Sequence, residues 1–218
     1  DQVHPALMRY ISQLPSCGRI LVPLCGKSLD LGWLKNQGYD VVGVELAEQA
    51  VSELFEQLEV EPTRTPDGPF EIWESPGLSV YVGDIFELTA DITGTFDAVW
   101  DRAALIALNP TDRARYTPHI LSFLKKGSPV LLSALLYDQQ KMSGPPFSVN
   151  YDEIHRVPAV QEKEHQAEIR YEMAHHKQPF CHRVFQFIGD QVLGSYKPQA
   201  QAFQKQHWDE QKRLISND

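Results

Sequence analysis

The order of strands and helices in the first sixty residues constrains this chain most. Short apolar runs at Arg19–Leu24 and Val41–Glu45 predict two buried strands. Ser28–Asn36 and Glu48–Leu58 carry apolar residues three or four positions apart, which predicts a helix after each strand. Strands that alternate with helices form parallel sheets with right-handed crossovers. We therefore predict an α/β fold built on a doubly wound, mostly parallel sheet.

The rest of the chain continues this pattern with one interruption. Further elements are predicted as follows: a helix at Pro5–Leu14, strands at Leu78–Val82, Phe96–Trp100 and Pro129–Leu136, a helix at Asp112–Lys125, and an antiparallel edge pair at Glu168–Met173 and Arg183–Ile188. The interruption is Glu61–Gly77, which is rich in proline and glycine and predicts an irregular excursion. Residues beyond Gly189 are polar and weakly patterned, so we expect one domain over 1–190 and a polar tail over 191–218.

The charge and cysteine content exclude several classes of partner. The 29 acidic against 20 basic residues give a net charge of −9, which disfavours binding to nucleic acid or to an anionic membrane. We see no apolar run of the roughly 20 residues that a membrane span needs. The three cysteines, Cys17, Cys25 and Cys181, are odd in number and far apart, which fits free thiols in a reducing cytoplasm. We expect a cytoplasmic protein and, since nothing argues for assembly, a monomer.

Acidic and small residues follow the predicted strands where a ligand would bind. Ligands of open α/β sheets bind beyond the carboxyl ends of the strands, at the point where the strand order reverses. Gly26 follows the first strand and lets the backbone approach a ligand. Glu45 ends the second strand and is placed to accept from ribose hydroxyls, while Asp84 follows the third and can accept from an adenine amino group beside Ile85. Together they predict a cradle for adenosine.

The same residues can be compared with two other kinds of nucleotide-binding site, the P-loop and the nicotinamide dinucleotide site. Gly26-Lys27-Ser28 is like the end of a phosphate-binding P-loop, but that motif needs a glycine where Leu21 stands. A nicotinamide-binding site needs a G-x-G-x-x-G fingerprint, which is missing after the first strand. S-adenosylmethionine carries no phosphate and needs neither motif. The pattern therefore favours S-adenosylmethionine as the cofactor.

Five linked motifs make the chain similar to a known family. They are Pro23–Ser28, Val42–Glu45, Phe96–Leu105, Ala107–Pro110 with Arg113, and Gly144–Phe147. In this order and spacing they resemble the thiopurine S-methyltransferases, in particular the bacterial branch, over roughly Gln2–Ile188. The resemblance implies a class I methyltransferase (Rossmann-like) sheet of seven strands, the last antiparallel, with S-adenosylmethionine as cofactor. It also implies methyl transfer to an aromatic or heterocyclic thiol, and the branch is associated with selenium and tellurium compounds and their detoxification.

The resemblance assigns roles by position. It implies cofactor contacts for Leu24, Gly26, Glu45, Leu46, Asp84 and Arg102, to which the position after the third strand adds Ile85, and a wall of the acceptor pocket for Pro145, Pro146 and Phe147. Two departures stand out. The family usually begins with a Trp-rich segment over the cofactor, and this chain starts after it; a covering role for the tail, which contains Trp208, is an alternative. His175 occupies the place of a further basic residue of the family on the substrate side.

The expected chemistry is in-line methyl transfer to a soft anionic nucleophile. Arg102 would attract the acceptor, and the neighbouring Asp101 would orient its guanidinium. Cys25 is interpreted as a packed thiol rather than a nucleophile, and the histidines near Cys181 lack the spacing of a metal site, so no metal is expected. Two alternatives stay open: another small acceptor (halide, thiocyanate or a small thiol), and a non-catalytic cofactor-binding module.

Overall fold

One mixed sheet organises the computed structural model, which describes residues 2–150, 153, 166–170 and 181–188. Its nine strands are β1 (Gly18–Pro23), β2 (Tyr39–Glu45), β3 (Thr63–Asp67), β4 (Phe70–Ser75), β5 (Leu78–Val82), β6 (Ala98–Asp101), β7 (Val130–Leu136), β8 (Gln166–Arg170) and β9 (Cys181–Ile188). They lie in the order β3-β4-β5-β2-β1-β6-β7-β9-β8. The five inner strands from β5 to β7 are parallel, and β9 runs antiparallel to both of its neighbours. The predicted doubly wound sheet with an antiparallel last strand is confirmed.

The α-helices of the described residues are α1 (Pro5–Tyr10), α2 (Asp30–Asn36), α3 (Glu48–Gln57), α4 (Ala90–Thr93), α5 (Ala104–Ala107) and α6 (Pro110–Ser122). Helix α6 begins two residues before its predicted start, because the Asn109 side chain accepts from the Thr111 and Asp112 amides and Pro110 fits a first turn. The short helices α4 and α5 escaped prediction, since four residues give too little periodicity. Among the helices that the structure describes, none is long and apolar enough to span a membrane.

Successive side chains of the inner strands point to opposite faces of the sheet, and a separate hydrophobic core covers each face. Ile20 and Val22 of β1 pack in the core that contains α1, α2 and α3, whereas Leu21 between them packs with α5 and α6. The same alternation places Trp100 of β6 with the first core and Val99 with the second. Strands covered on both faces must be apolar at successive positions, which is why the inner strands read as continuous hydrophobic runs.

The chain reverses direction across the sheet between β1 and β6. From β1 it moves outward through β2 to β5, and then returns to the other side of β1 as β6. The loops that follow β1 and β6 therefore leave the sheet toward opposite faces and open a crevice between them. The crevice lies at the carboxyl ends of Gly18–Pro23 and Ala98–Asp101, directly before the predicted ligand-binding residues Gly26 and Arg102.

A hairpin stands where the sequence predicted an irregular excursion. β3 and β4 pair with Asp67 opposite Phe70, so that Gly68 and Pro69 form a two-residue turn. Gly68 has φ +57°, a left-handed conformation that glycine adopts readily. A glycine at the first position of a two-residue turn is typical of β-hairpins, but the surrounding prolines masked this signal. The hairpin extends the sheet beyond β5, adding two strands to the seven predicted.

Candidate functional site

The loop after β1 has an unusual backbone. Leu24 has φ +45° and Gly26 has φ +52°, and a Cβ built on Gly26 would meet nothing within 4 Å. The left-handed region costs a leucine roughly 1–2 kcal/mol, and such strain concentrates at functional sites. Between them, the Cys25 amide donates to the Val44 carbonyl at 3.0 Å, which holds the loop to the end of β2. The loop thus leaves open space beside Gly26, and the strained backbone of Leu24 is typical of a functional site.

Glu45 joins the loops that follow three parallel strands. Its Oε2 accepts from the Gly26 amide at 2.8 Å and its Oε1 from the Ala47 amide at 2.9 Å. Its carbonyl oxygen accepts from the Gly83 amide at 2.9 Å, just after β5. An ionised carboxylate offers about four acceptor positions, so two backbone donors leave capacity for hydroxyl groups of a ligand. The side chain remains partly exposed at the sheet edge.

The residues expected near an adenine lie beyond β2 and β5 and differ in exposure. Asp84 is exposed, and its Oδ1 accepts from the Phe86 amide at 2.9 Å, which closes a local turn. Leu46 is 72% exposed, a large apolar side chain open to a ligand. Ile85, in contrast, is buried among the second core, and its carbonyl lies 2.7 Å from His119 Nε2. Of the two apolar residues expected near the adenine, only Leu46 is exposed enough to contact a ligand with its side chain.

Arg102 lies directly after β6 and contacts the α2 side of the sheet. Its Nη1 donates to Ser28 Oγ at 2.9 Å and lies 3.6 Å from Asp30 Oδ2. The side chain of Arg102 is 40% exposed, whereas that of Asp30 is fully buried. Within the described residues, Nε and Nη2 of Arg102 make no hydrogen bond, so these donors are available to a ligand.

The predicted role of Asp101 as the partner of Arg102 is wrong. Its Oδ1 accepts from the Ala104 and Leu105 amides at 3.1 and 3.3 Å, and its Oδ2 accepts from the Tyr116 hydroxyl at 2.8 Å. Successive residues at the end of a strand point to opposite faces, so Asp101 turns to α5 and α6 while Arg102 turns to α2. Burial raises the pKa of Asp101 to about 6 against the opposing effect of these three donors. Asp101 therefore anchors the start of α5.

A cleft of about 460 Å³ opens at the crevice between β1 and β6. Its walls come from three parts of the chain: the N-terminal segment with Gln2, His4 and Pro5, the loop from Pro23 to Leu29, and Arg102 with Ala103 after β6. Val22 and Gln57 complete it. The cleft brings together Leu24, Gly26 and Arg102 of the predicted site. Glu45 is joined to it through Gly26, while Leu46, Asp84 and Ile85 do not line it.

The predicted acceptor wall is connected to α5 rather than to this cleft. The Phe147 amide donates to the Ile106 carbonyl at 2.6 Å, and the Tyr137 hydroxyl donates to the Pro146 carbonyl at 2.5 Å. None of Pro145, Pro146 and Phe147 is among the residues that line the cleft. His175, the last residue of the predicted acceptor side, lies outside the described residues, as do the tail over 191–218 and Trp208.

The thiol of Cys25 is unsuited to nucleophilic attack. Burial, followed by the charge of Glu45, raises the pKa of the Cys25 thiol far above its ordinary value. A thiol that stays protonated is neither a nucleophile nor a metal ligand. Among the residues that the structure describes, no group of three or more His, Cys, Asp or Glu side chains is placed to hold a metal ion.

Two residues at the site escaped prediction from sequence. Ser28 and Asp30 were predicted only as part of an ordinary amphipathic helix over Ser28–Asn36. The one available signal was the charge itself: an aspartate on the inner side of a helix whose neighbours Leu31 and Leu34 are buried has to find a partner. The identity of that partner depends on contacts far apart in sequence.

Comparison with known proteins gives one family. The family model described as thiopurine S-methyltransferase (TPMT) matches residues 1–187. A thiopurine S-methyltransferase of Xanthobacter autotrophicus is 47% identical over 149 residues, which are 67% of this chain and 70% of that protein. A second one, from Pseudomonas fluorescens (strain SBW25), is 45% identical over 155 residues, which are 70% of this chain and 71% of that protein.

Solved structures extend the likeness of the fold. TehB from Haemophilus influenzae has a TM-score of 0.62 at 14% identity, over 87% of this chain and 63% of that one. The magnesium protoporphyrin IX methyltransferase (ChlM) from Synechocystis, solved with bound S-adenosylhomocysteine, has a TM-score of 0.61 at 15% identity, over 84% of this chain and 80% of that one. At these identities the similarity concerns the fold alone: that of S-adenosylmethionine-dependent methyltransferases.

Proposed function

Because this chain belongs to the thiopurine S-methyltransferase family, and is thus an S-adenosylmethionine-dependent methyltransferase, we propose that it methylates an aromatic or heterocyclic thiol in the cleft beside Arg102. The observation that carries this proposal is the meeting of two features at one crevice. The loop of Leu24 and Gly26 is open on one side, and the partly exposed guanidinium of Arg102 lies on the other.

The residues beside the cleft suit S-adenosylmethionine in three respects. The Glu45 carboxylate keeps acceptor capacity for a ribose diol, Leu46 offers an apolar surface to an adenine, and Asp84 Oδ2 makes no hydrogen bond among the described residues. The side chain of an alanine at position 26 would enter the open space over the loop, where the cofactor would bind. We assign the adenosine to Glu45, Leu46, Asp84 and the neighbourhood of Ile85, and the reactive end to Leu24, Gly26 and Arg102.

The bound cofactor supplies an electrophilic methyl group on a positively charged sulfur. The acceptor loses its thiol proton to solvent first, since an aromatic thiol is substantially ionised near neutral pH. With the reactive end of the cofactor held at Leu24, Gly26 and Arg102, the methyl group would pass to this thiolate sulfur, and the cofactor's sulfur would keep the electron pair of the bond that breaks. The chain's contribution is to hold the thiolate: the available Nε and Nη2 donors of Arg102 attract the anion and set its approach.

The finer features of the function follow from the same assignment. A guanidinium that recognises an anionic sulfur also accepts selenium and tellurium anions, so we propose these as further acceptors. The acceptor side would be completed by Pro145, Pro146, Phe147 and His175. The net charge of −9 disfavours nucleic acid, and the free thiols of Cys17 and Cys25 fit a reducing cytoplasm. A monomer with a role in detoxification is part of the same proposal, and the detoxification role comes from the family resemblance alone.

An acceptor panel tests the proposal directly. Labelled S-adenosylmethionine is offered with a thiopurine, thiophenol, selenite, tellurite and iodide, and transfer of label is measured for each. We expect the aromatic thiols to give the highest kcat/KM. Transfer to iodide alone would favour a halide acceptor, and transfer to none of them, with normal binding of S-adenosylhomocysteine, would refute the proposed acceptor class.

Two variants separate the halves of the site. Arg102→Ala should lower kcat/KM by about 10- to 100-fold, more than it weakens the binding of S-adenosylhomocysteine, because it removes charge-assisted hydrogen bonds to the acceptor. Glu45→Gln should weaken that binding by about tenfold first, since an amide satisfies only one of the two backbone donors. Arg64→Ala and Glu74→Gln, on the β3–β4 hairpin, are the matched controls and should change neither value.

A further inference from the structure

Asp30 is a buried carboxylate at which several parts of the candidate site meet. Its side chain has no exposed surface, and it is the first residue of α2. Its Oδ1 accepts from the His4 amide at 2.7 Å, and its Oδ2 accepts from the Trp100 indole at 2.9 Å and lies 3.6 Å from Arg102 Nη1. A buried charge is retained only where donors and an opposite charge compensate its desolvation.

The donors to Asp30 come from the separate walls of the cleft. His4 belongs to the N-terminal segment, and Arg102 follows β6; both line the cleft. Ser28, in the loop after β1, lines it as well and joins the arrangement by accepting from both Arg102 Nη1 and the Asp30 amide. Asp30 itself lies behind these residues and does not line the cleft. One buried side chain therefore determines how the walls are placed relative to each other.

The orientation of Arg102 depends most on this arrangement. An arginine side chain has several rotatable bonds, and that of Arg102 is 40% exposed. Contacts with exposed partners stabilise one orientation of such a side chain only weakly. The buried carboxylate of Asp30 and the hydroxyl of Ser28 hold Nη1, and Nε and Nη2 keep no hydrogen-bond partner among the described residues. Without the carboxylate, the guanidinium would lose its only ionic partner among the described residues.

We propose that Asp30 is the positioning residue of this methyltransferase: it fixes the guanidinium of Arg102 for the acceptor and ties the segment of His4 to the cleft. It acts through Arg102 and touches neither substrate nor cofactor. The inference rests on the proposed function, because the acceptor is what Arg102 is positioned for. It adds a residue that the site as predicted from sequence did not contain.

A double-mutant cycle tests whether Asp30 acts through Arg102. Asp30→Asn keeps the size of the side chain but removes its charge, and it faces an amide nitrogen toward either His4 or Trp100. We expect it to lower kcat/KM for an aromatic thiol by about 10- to 100-fold when Arg102 is present. In the Arg102→Ala background the same change should cost less than about threefold, because the residue through which it acts is gone.

Two further variants keep the test decisive if Asp30→Asn unfolds. Ser28→Ala removes the second contact of Arg102 with little loss of packing, and it should lower kcat/KM by about threefold with the same dependence on Arg102. Asp97→Asn is the matched control, a partly buried aspartate before β6 that pairs with Lys125 at the opposite end of the strands. It should lower the melting temperature and leave kcat/KM unchanged.

The outcomes distinguish the inference from the proposed function. Equal losses for Asp30→Asn with and without Arg102, matched by equal losses in melting temperature, would make Asp30 merely structural and overturn the inference. If the unaltered protein methylates none of the acceptors, the proposed function fails instead. The same cycle, measured on the Kd for S-adenosylhomocysteine, then decides the coupling: additive changes refute it, and non-additive changes support it.

Discussion

Replacing Asp101 by asparagine should flatten the dependence of stability on pH. The carboxylate of Asp101 is 3% exposed, and burial raises its pKa to about 6 from an ordinary value of 3.8. The folded protein therefore binds this proton more tightly than the unfolded chain does. The resulting stabilisation is fully present below the unfolded pKa and is lost as the pH rises through the folded pKa.

The size of the effect follows from the two pKa values. A difference of about 2.2 between 3.8 and about 6 corresponds to about 3 kcal/mol over the whole titration. About 2 kcal/mol of this loss falls between roughly pH 4.5 and pH 7.5, the range in which unfolding is conveniently measured. The asparagine side chain would carry no titrating proton, so this contribution disappears in the variant, while its amide can still accept from the α5 backbone and donate to Tyr116.

The measurement is urea unfolding, followed by circular dichroism, for both proteins across that range. The free energy of unfolding of the original chain minus that of Asp101→Asn should fall by about 2 kcal/mol from roughly pH 4.5 to pH 7.5. Asp97→Asn serves as the control, because Lys125 and then the Arg19 amide lower the pKa of Asp97. Its stabilisation is lost only as the pH falls below this range, so the Asp97 difference should stay constant. Parallel curves for the original chain and Asp101→Asn would refute the reasoning.

Three other predictions concern the loop after β1 and helix α6. Leu24→Gly should relieve left-handed strain and leave the unfolding free energy within about 1 kcal/mol, yet weaken S-adenosylhomocysteine binding about tenfold in calorimetry. Glu59→Gly, also at a positive φ but outside the cleft, should leave binding unchanged, and an equal loss in both would contradict the assignment. Gly26→Ala should cost about 1 kcal/mol of stability and still reduce binding, because its methyl group enters open space; unaltered binding would place the cofactor elsewhere. Arg113→Lys should lose the bidentate pairing with Glu153 and lower the free energy of unfolding by about 2 kcal/mol in urea. An unchanged urea midpoint would contradict this prediction.

Local sequence patterns were sufficient for the order of the seven predicted strands and of the longer helices. Short apolar runs bounded by turn residues and rich in β-branched side chains favour strands covered on both faces, and the helices between them carry one apolar stripe each. This alternation determines a parallel sheet and its crevice, so Gly26, Glu45 and Arg102 could be assigned to one edge before any contact was known. The hairpin of β3 and β4 was missed because its turn glycine, Gly68, lies among prolines that usually exclude strands.

The partner of Arg102 was decided by the tertiary structure alone. Sequence adjacency suggested Asp101, but neighbouring positions at the end of a strand face opposite sides of a sheet, and the two side chains diverge. The charge that reaches Arg102 belongs to Asp30, which folding brings to it from the start of α2. The sequence by itself determined that these charges lie near the carboxyl ends of the strands. Which of them meet depends on the side of the sheet to which each is turned, and that becomes visible only when the helices are packed.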